Sequence, residues 1–183
     1  MYTINPLTDP RWPQFVADHP QASIFHTREW LNALRLAYGY KPVAFTTRQE
    51  SDLSDAVLFC EIQSWLTGKR LVSLPFSDHG EPLAGTTDLQ EILHYLHKQR
   101  EKQRFRYIEL RPALTTGILN TQDQFTRSER FCFHVIDLRS ELENIYQNLH
   151  SNCVRRKIKR AEREELTYES GHSEELLQKF RHL

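Results

Sequence analysis

Between Ser73 and Leu83 an apolar, strand-like run gives way to a polar loop, Ser77-Asp78-His79-Gly80-Glu81, with Pro75 on one side and Pro82 on the other. The prolines fix φ near their own positions and Gly80 frees the backbone to turn sharply. Asp78 and His79 put a carboxylate and an imidazole at a strand end, on the kind of loop where binding residues concentrate. A histidine near its ordinary pKa accepts a proton at neutral pH and a carboxylate attracts an ammonium group, so the pair could orient or deprotonate an amine acceptor. The opposing reading is that Asp78 caps a turn and His79 is solvated, since adjacent residues seldom face the same way. Arg111, next to Pro112 and following Glu109, could hold a substrate carboxylate or phosphate in bidentate fashion, or be engaged in an internal ion pair. The candidate substrate-binding set is therefore Asp78, His79, Gly80 and Arg111, and no residue is assigned a catalytic role.

A second set lies further along the chain. Arg155, Arg156, Lys157, Lys159, Arg160 and Arg163 crowd the first two turns of a predicted helix whose end carries Glu162, Glu164 and Glu165. Cations at a helix N-terminus and acids at its C-terminus oppose the macrodipole, at about a few tenths of a kcal/mol each. Helix stability does not account for this pattern, whereas a polyanionic partner does, with Arg155, Arg156 and Lys159 as the anion-binding candidates. Such a partner could be tRNA phosphate, the pyrophosphate of a lipid-linked precursor or an anionic membrane surface. The opposing reading is a solvated face balanced by neighbouring glutamates. His94 and His97 form an HxxH pair, but with no third ligand nearby in sequence they read as surface histidines, not a metal site. Cys153 has no assigned base and reads as a small apolar residue.

The elements that must position these residues follow from periodicity. Asp9 is expected to cap a helix with Pro10 at its first position and Trp12, Phe15 and Val16 on one face. A second helix follows Thr27, with Trp30, Leu31, Leu34 and Tyr38 as its buried stripe and Gly39 where a left-handed C-terminal residue is wanted. The period then becomes that of strands over Val43 to Thr47, Ala56 to Leu66 and Arg70 to Phe76, the last two joined by a tight turn at Thr67-Gly68-Lys69. Thr87 with Gln90 makes a capping box for a helix reaching about Arg104, with Leu89, Ile92, Leu93 and Leu96 on one face. Tyr107 to Arg111 reads as a strand stopped by Pro112, and Phe131 to Leu138 as another. Helices are expected over Glu141 to Leu149, Arg155 to Glu165 and Glu174 to Arg181, with a short strand at Leu166 to Glu169. Trp12, Trp30 and Trp65 read as core residues.

A chain of 183 residues suffices for one substantial core with an appendage, since domains usually run about 100 to 150 residues. Its 24 basic and 24 acidic side chains cancel. Residues 1–93 nevertheless hold 7 basic against 11 acidic, and residues 94–183 hold 17 against 13, so an anion-seeking face belongs to the second half. Three cysteines without CxxC spacing suggest neither a disulfide framework nor a zinc site and fit reduced thiols in a cytoplasm. No basic segment followed by an apolar stretch opens the chain, and no run nears the roughly 18 apolar residues that a membrane span requires. The expected location is cytoplasmic, which leaves room for action on a membrane-bound substrate.

The order helix, helix, three antiparallel strands, long helix, strand and strand is similar to that of the GNAT acyltransferase fold. The stretches SIFHTREWLNALRLAYGYKPV (23–43), KRLVSLPFSDHGEPL (69–83), YIELRP (107–112) and NCVRRKIKRAERE (152–164) resemble successive blocks of FemAB-like proteins. That family contains peptidoglycan bridge-forming aminoacyltransferases and related GNAT-type transferases, and the resemblance keeps its order over nearly all of the chain. It implies an α/β (α+β) fold: a GNAT-like domain at 1–138 with a mixed, largely antiparallel central sheet flanked by helices, then at 139–183 the opening helices of an incomplete second GNAT-like domain. It also implies attack of an amine on an activated acyl group, with positioning supplying much of the rate. This chain would shape the acceptor cleft for an amine such as a cell-wall precursor. An aminoacyl-tRNA or an anionic membrane surface would meet the basic helix, and the isolated chain would turn over little or nothing. GNAT enzymes that use acyl-CoA cradle its pyrophosphate on a loop of the pattern Gln/Arg-x-x-Gly-x-Gly/Ala. Here Gly80 and Gly85 are five apart, no Arg or Gln leads them, and Asp78, Glu81 and Asp88 would repel phosphate, so no cofactor is expected. Three other readings stay open: a module that binds an anionic glycopeptide or nucleic acid without reacting, an acyl-CoA-dependent N-acyltransferase, and a truncated product with no activity.

Overall fold

Val57 and Phe59 point to one side of their strand and Leu58, Cys60 and Ile62 to the other, and all five are buried, so this strand needs cover on both faces. The computed structural model, which describes residues 1–113, 125–126, 128, 132, 134–164 and 166–182, provides it with a five-stranded sheet between helices. Across the sheet the order is β1 (Tyr2–Ile4), β2 (Lys41–Thr46), β3 (Val57–Ser64), β4 (Gly68–Val72) and β5 (Phe105–Glu109). The first four pair antiparallel and β5 runs parallel to β4. The mixed, mostly antiparallel sheet flanked by helices agrees with the sequence reading at that level.

Helices α1 (Trp12–Asp18) and α2 (Arg28–Tyr38) bring Trp12, Phe15, Leu31 and Leu34 to one face, against Ala44, Leu58, Cys60, Ile62 and Val72. Helix α3 (Thr86–Lys102) brings Leu89, Ile92, Leu93 and Leu96 to the other, against Phe45, Val57, Phe59, Leu71 and Phe105. Those four α3 residues follow the i, i+3, i+4, i+7 spacing of a single helical stripe. Parallel neighbours cannot be joined by a hairpin, and α3 is the crossover that lets β5 join β4 in parallel. The chain divides into two compact units, Met1–Phe131 and Cys132–Leu183, and the sheet belongs to the first. The second holds α4 (Leu142–Asn148), a π-turn at Ser151–Arg155, α5 (Arg156–Arg163) and α6 (Glu174–Arg181); none of its described residues is buried.

Local chemistry moves several boundaries from their expected places. Asp9 does not cap α1: its carboxylate accepts the Arg11 amide at 3.0 Å and the Arg11 guanidinium at 2.9 and 2.6 Å, and the helix starts at Trp12 with Pro13, not Pro10, in its first turn. Helix α2 follows Thr27 as read, and Gly39 closes it at φ 70°, but Trp30 is only half-buried and Tyr38 is exposed. Strand β3 stops at Ser64 because that hydroxyl accepts the Leu66 and Thr67 amides, turning the chain over Trp65–Thr67 into Gly68 at φ 78°. Trp65, read as core, therefore stands on the turn and is 97% exposed. Helix α3 begins at Thr86 with Gly85 as its N-cap and no capping side chain, so Thr87 lies inside the helix and the Thr87–Gln90 box does not form. The strand expected over Phe131 to Leu138 falls partly outside the described residues; Cys132 and His134 to Leu138 are not in a strand. Leu166 to Glu169 makes no ladder either, because no strand lies beside it among the described residues.

Ile92 is fully buried under the sheet, so Ile92→Ala should cost about 2–5 kcal/mol in denaturant unfolding, whereas Trp65→Ala should change stability by less than about 0.5 kcal/mol. Equal losses would put Trp65 back in the core.

Candidate functional site

Strand β4 leaves the regular ladder at Val72, yet the chain stays tied to β5. The Ser73 amide donates to the Glu109 carbonyl at 2.9 Å, and the Ser73 hydroxyl accepts the Arg111 amide at 2.9 Å. The backbone then passes through two left-handed non-glycine residues, Leu74 at φ 45° and Phe76 at φ 62°. Such conformations cost on the order of 1–3 kcal/mol and persist only where the surroundings over-determine them. Here Leu74 is wholly buried, its carbonyl accepts the Ser77 amide and hydroxyl, and the Phe76 ring stacks on Tyr38 with centroids 4.6 Å apart. Farther along, the Gly80 amide donates to the Arg111 carbonyl at 2.8 Å, and Leu83 and Ala56 exchange hydrogen bonds at 2.9 and 2.7 Å. The loop is pinned at both ends and in its middle.

The strongest pin is His26, to which the sequence reading gave no role. This residue ends the short 3₁₀ turn Ile24–His26 and is fully buried. Its Nδ1 accepts the Ser23 amide at 3.1 Å, which leaves the ring proton on Nε2 to be donated to the Glu81 carbonyl at 3.0 Å. The His26 carbonyl in turn accepts the indole N–H of Trp12 at 2.9 Å. Burial pushes the pKa of His26 below that of an ordinary histidine, and its hydrogen bond to Glu81 only opposes this. A second proton would put a donor on Nδ1 against the Ser23 N–H. The Ser23–His26 spacing of a capping box was the available signal.

The four candidate residues meet through backbone more than through side chains. Asp78 is exposed; His79 is half-buried, its ring edge-on to Phe25 at 6.2 Å. Gly80 is not in a left-handed conformation, contrary to the sharp turn expected of it; what demands glycine is a close approach, since a Cβ there would lie 3.1–3.3 Å from the Leu74 side chain. The Arg111 guanidinium is held by Glu109 at 2.5 Å, the internal ion pair of the two readings, while its amide and carbonyl hold the loop. Glu81, read only as a phosphate-repelling charge, is buried and accepts the Ala113 amide at 2.8 Å.

The start of α3 carries negative charge of its own. Asp55 is buried, accepts the Thr47 amide at 2.8 Å and lies 3.1 Å from the Thr47 hydroxyl. That hydroxyl is also 3.2 Å from Asp88, which sits in the first turn of α3, 3.8 Å from the Arg48 guanidinium. Asp88 thus already meets the positive end of the helix dipole, and a phosphate there would face two carboxylates. Burial pushes the Cys60 thiol up to about 12, which removes it as a nucleophile at neutral pH. His94 and His97 are exposed on α3, and no group of three or more metal-ligating side chains gathers among the described residues.

In the second unit the basic run begins in the π-turn, where the Val154 and Arg155 amides both donate to the His150 carbonyl. Arg155 donates to the Gln147 side chain at 3.3 Å and Arg160 pairs with Glu164 at 2.6 Å. Arg156, Lys157, Lys159 and Arg163 are exposed. Among the described residues no helix is long and apolar enough to cross a membrane. Comparison with family models, curated proteins and solved structures finds no match.

Two tests follow from this geometry. Gly80→Ala should destabilise the protein by about 1–3 kcal/mol through overpacking against Leu74, and Leu74→Ala combined with it should recover part of the Gly80→Ala effect. Because the folded-state pKa of His26 is depressed, its contribution to stability is complete above the unfolded value of about 6.5 and falls as pH drops below it. Denaturant titrations between about pH 5 and pH 8 should show this slope, and His26→Gln should flatten it; an unchanged slope would remove His26 as its source.

Proposed function

We propose that the N-terminal region is a GNAT-like module of an amine-acylating, FemAB-like transferase, and that the Ser73–Leu83 loop lines its acceptor cleft. The observation that carries this reading is topological. Four antiparallel strands are followed by a helical crossover to a parallel fifth, and the loop leaves β4 beside the C-terminal end of β5. Open sheets of this kind receive ligands outside the C-terminal ends of parallel strands. The clamped backbone supports a positioning role, because a held loop presents Asp78 and His79 without the ordering cost a mobile one would incur. Asp78 attracts the ammonium form of the acceptor and His79 takes up its proton, so that the amine lone pair attacks the carbonyl of an activated acyl ester; the amide C–N bond forms, the ester C–O bond breaks, and the donor's alkoxide leaves with a proton as the alcohol. The acceptor is an amine on a cell-wall precursor. The carboxylates near the start of α3 speak against an acyl-CoA pyrophosphate at that point.

A second reading, binding of an anionic glycopeptide without reaction, is favoured by the engagement of Arg111 with Glu109, which commits one of the four candidate residues to an internal ion pair. Calorimetry separates the readings. The protein should bind a lysine-containing muramyl peptide and give no heat with acetyl-CoA, and Asp78→Asn should weaken the peptide about tenfold through loss of a charged hydrogen bond. Failure of the unaltered protein to bind the peptide, or equal affinity in Asp78→Asn, would sink the acceptor-cleft proposal. Transfer of an acyl group to the peptide, followed by mass spectrometry, distinguishes reaction from binding alone.

A further inference from the structure

Helix α5 is two-faced, and the proposed acceptor cleft does not involve it. At about 100° per residue, Arg155, Arg156, Lys159, Arg160 and Arg163 fall within an arc of roughly 140°, and Val154, Ile158 and Ala161 fall on the opposite side. Within α5 exposure follows the same division, with Arg156, Lys159, Arg160 and Arg163 exposed and Ile158 and Ala161 half-buried; before the helix, in the π-turn, Arg155 is half-buried and Val154 exposed. The cations therefore face outward. Arg160 is paired with Glu164, but Arg156, Lys157, Lys159 and Arg163 have no carboxylate within ion-pair distance among the described residues. Just beyond the helix, Leu166 is 68% and Tyr168 is 88% exposed.

Dense negative charge is offered by nucleic acids and by anionic membranes, and two features choose between them. Residues 132–183 carry nine Lys and Arg against nine Asp and Glu, and six of the nine cations fall within 155–163, a helical length of about 13 Å that is short for a nucleic-acid strand. Exposed Leu and Tyr side chains beside a cationic helix suit the headgroup layer, where tyrosine gathers and each basic residue adds attraction to anionic lipid.

We propose that the outward face of α5 binds the anionic surface of a phospholipid bilayer, with Arg156, Lys159 and Arg163 on lipid phosphates and Leu166 and Tyr168 in the headgroup layer. This proposal is independent of the transferase reading, since Asp78 and its loop belong to the other unit. The full chain is sedimented with vesicles of phosphatidylcholine alone or with about 30% phosphatidylglycerol, in about 0.1 M and about 1 M salt, between which the screening length falls from roughly 10 to roughly 3 Å. Binding to the anionic vesicles at low salt only is the expected result. The triple variant Arg156→Gln/Lys159→Gln/Arg163→Gln should lower partitioning about a hundredfold, each charge counting about fivefold. The charge-keeping triple variant Arg156→Lys/Lys159→Arg/Arg163→Lys should retain binding, and Lys98→Gln/Lys102→Gln on α3 should leave it unchanged. Equal partitioning into neutral and anionic vesicles would overturn the proposal, as would an equal loss from the α3 variant or tighter binding to a single-stranded RNA oligonucleotide than to vesicles. Muramyl-peptide affinity should be the same in every one of these variants, which keeps the failure of this proposal distinct from that of the acceptor cleft.

Discussion

The neutral imidazole of His26 is the constraint on which the candidate site depends. One ring nitrogen accepts the amide of its own turn and the other donates to the Glu81 carbonyl, so a single buried side chain fastens the connection between α1 and α2 to a loop 55 residues away. Trp12 adds a third fixed point through its indole N–H. His26, Trp12 and Glu81 are buried, and a buried polar group that loses its partner costs the full desolvation penalty, about 1–3 kcal/mol. The loop geometry around Asp78 and His79 is therefore inherited from a network some distance back in the chain.

That network explains how unfavourable backbone survives at Leu74 and Phe76. Neither residue has the freedom of glycine, and both sit in the left-handed region. Burial of Leu74 and stacking of Phe76 on Tyr38 offset the strain, while Gly80, at an ordinary backbone angle, is required only because Leu74 passes so close. Strain and close packing occur together where β4 turns away from the sheet, which is also where a parallel pair of strands ends. A rigid frame thus holds an exposed carboxylate and a half-buried imidazole at the sheet's edge.

Charge is arranged differently in the two units. In the first, carboxylates are used internally: Asp9 with Arg11, Asp55 with the Thr47 amide, Glu81 with the Ala113 amide. In the second, cations on α5 face solvent while its apolar side is half-buried. Helix-dipole energetics oppose the basic residues in the first turn of α5 and favour Arg160 and Arg163 in its last.

Local spacing alone determined the spans of α2 and α6, the buried stripe of α3, the antiparallel run from β2 to β4, and the left-handed Gly39, because each depends on residues within one or two turns or on adjacent strands. That the sheet would be mixed and flanked by helices came from a likeness in element order, not from periodicity. Tertiary structure decided where apolar periodicity stops being burial: Trp65 continues the apolar run of β3, yet Ser64 turns the chain and leaves the indole in solvent. It also decided the roles of His26, Glu81 and the Arg111 backbone, whose partners lie 55, 32 and 38 residues away. Such pairings exist only once the chain has closed on itself, and no local spacing encodes them.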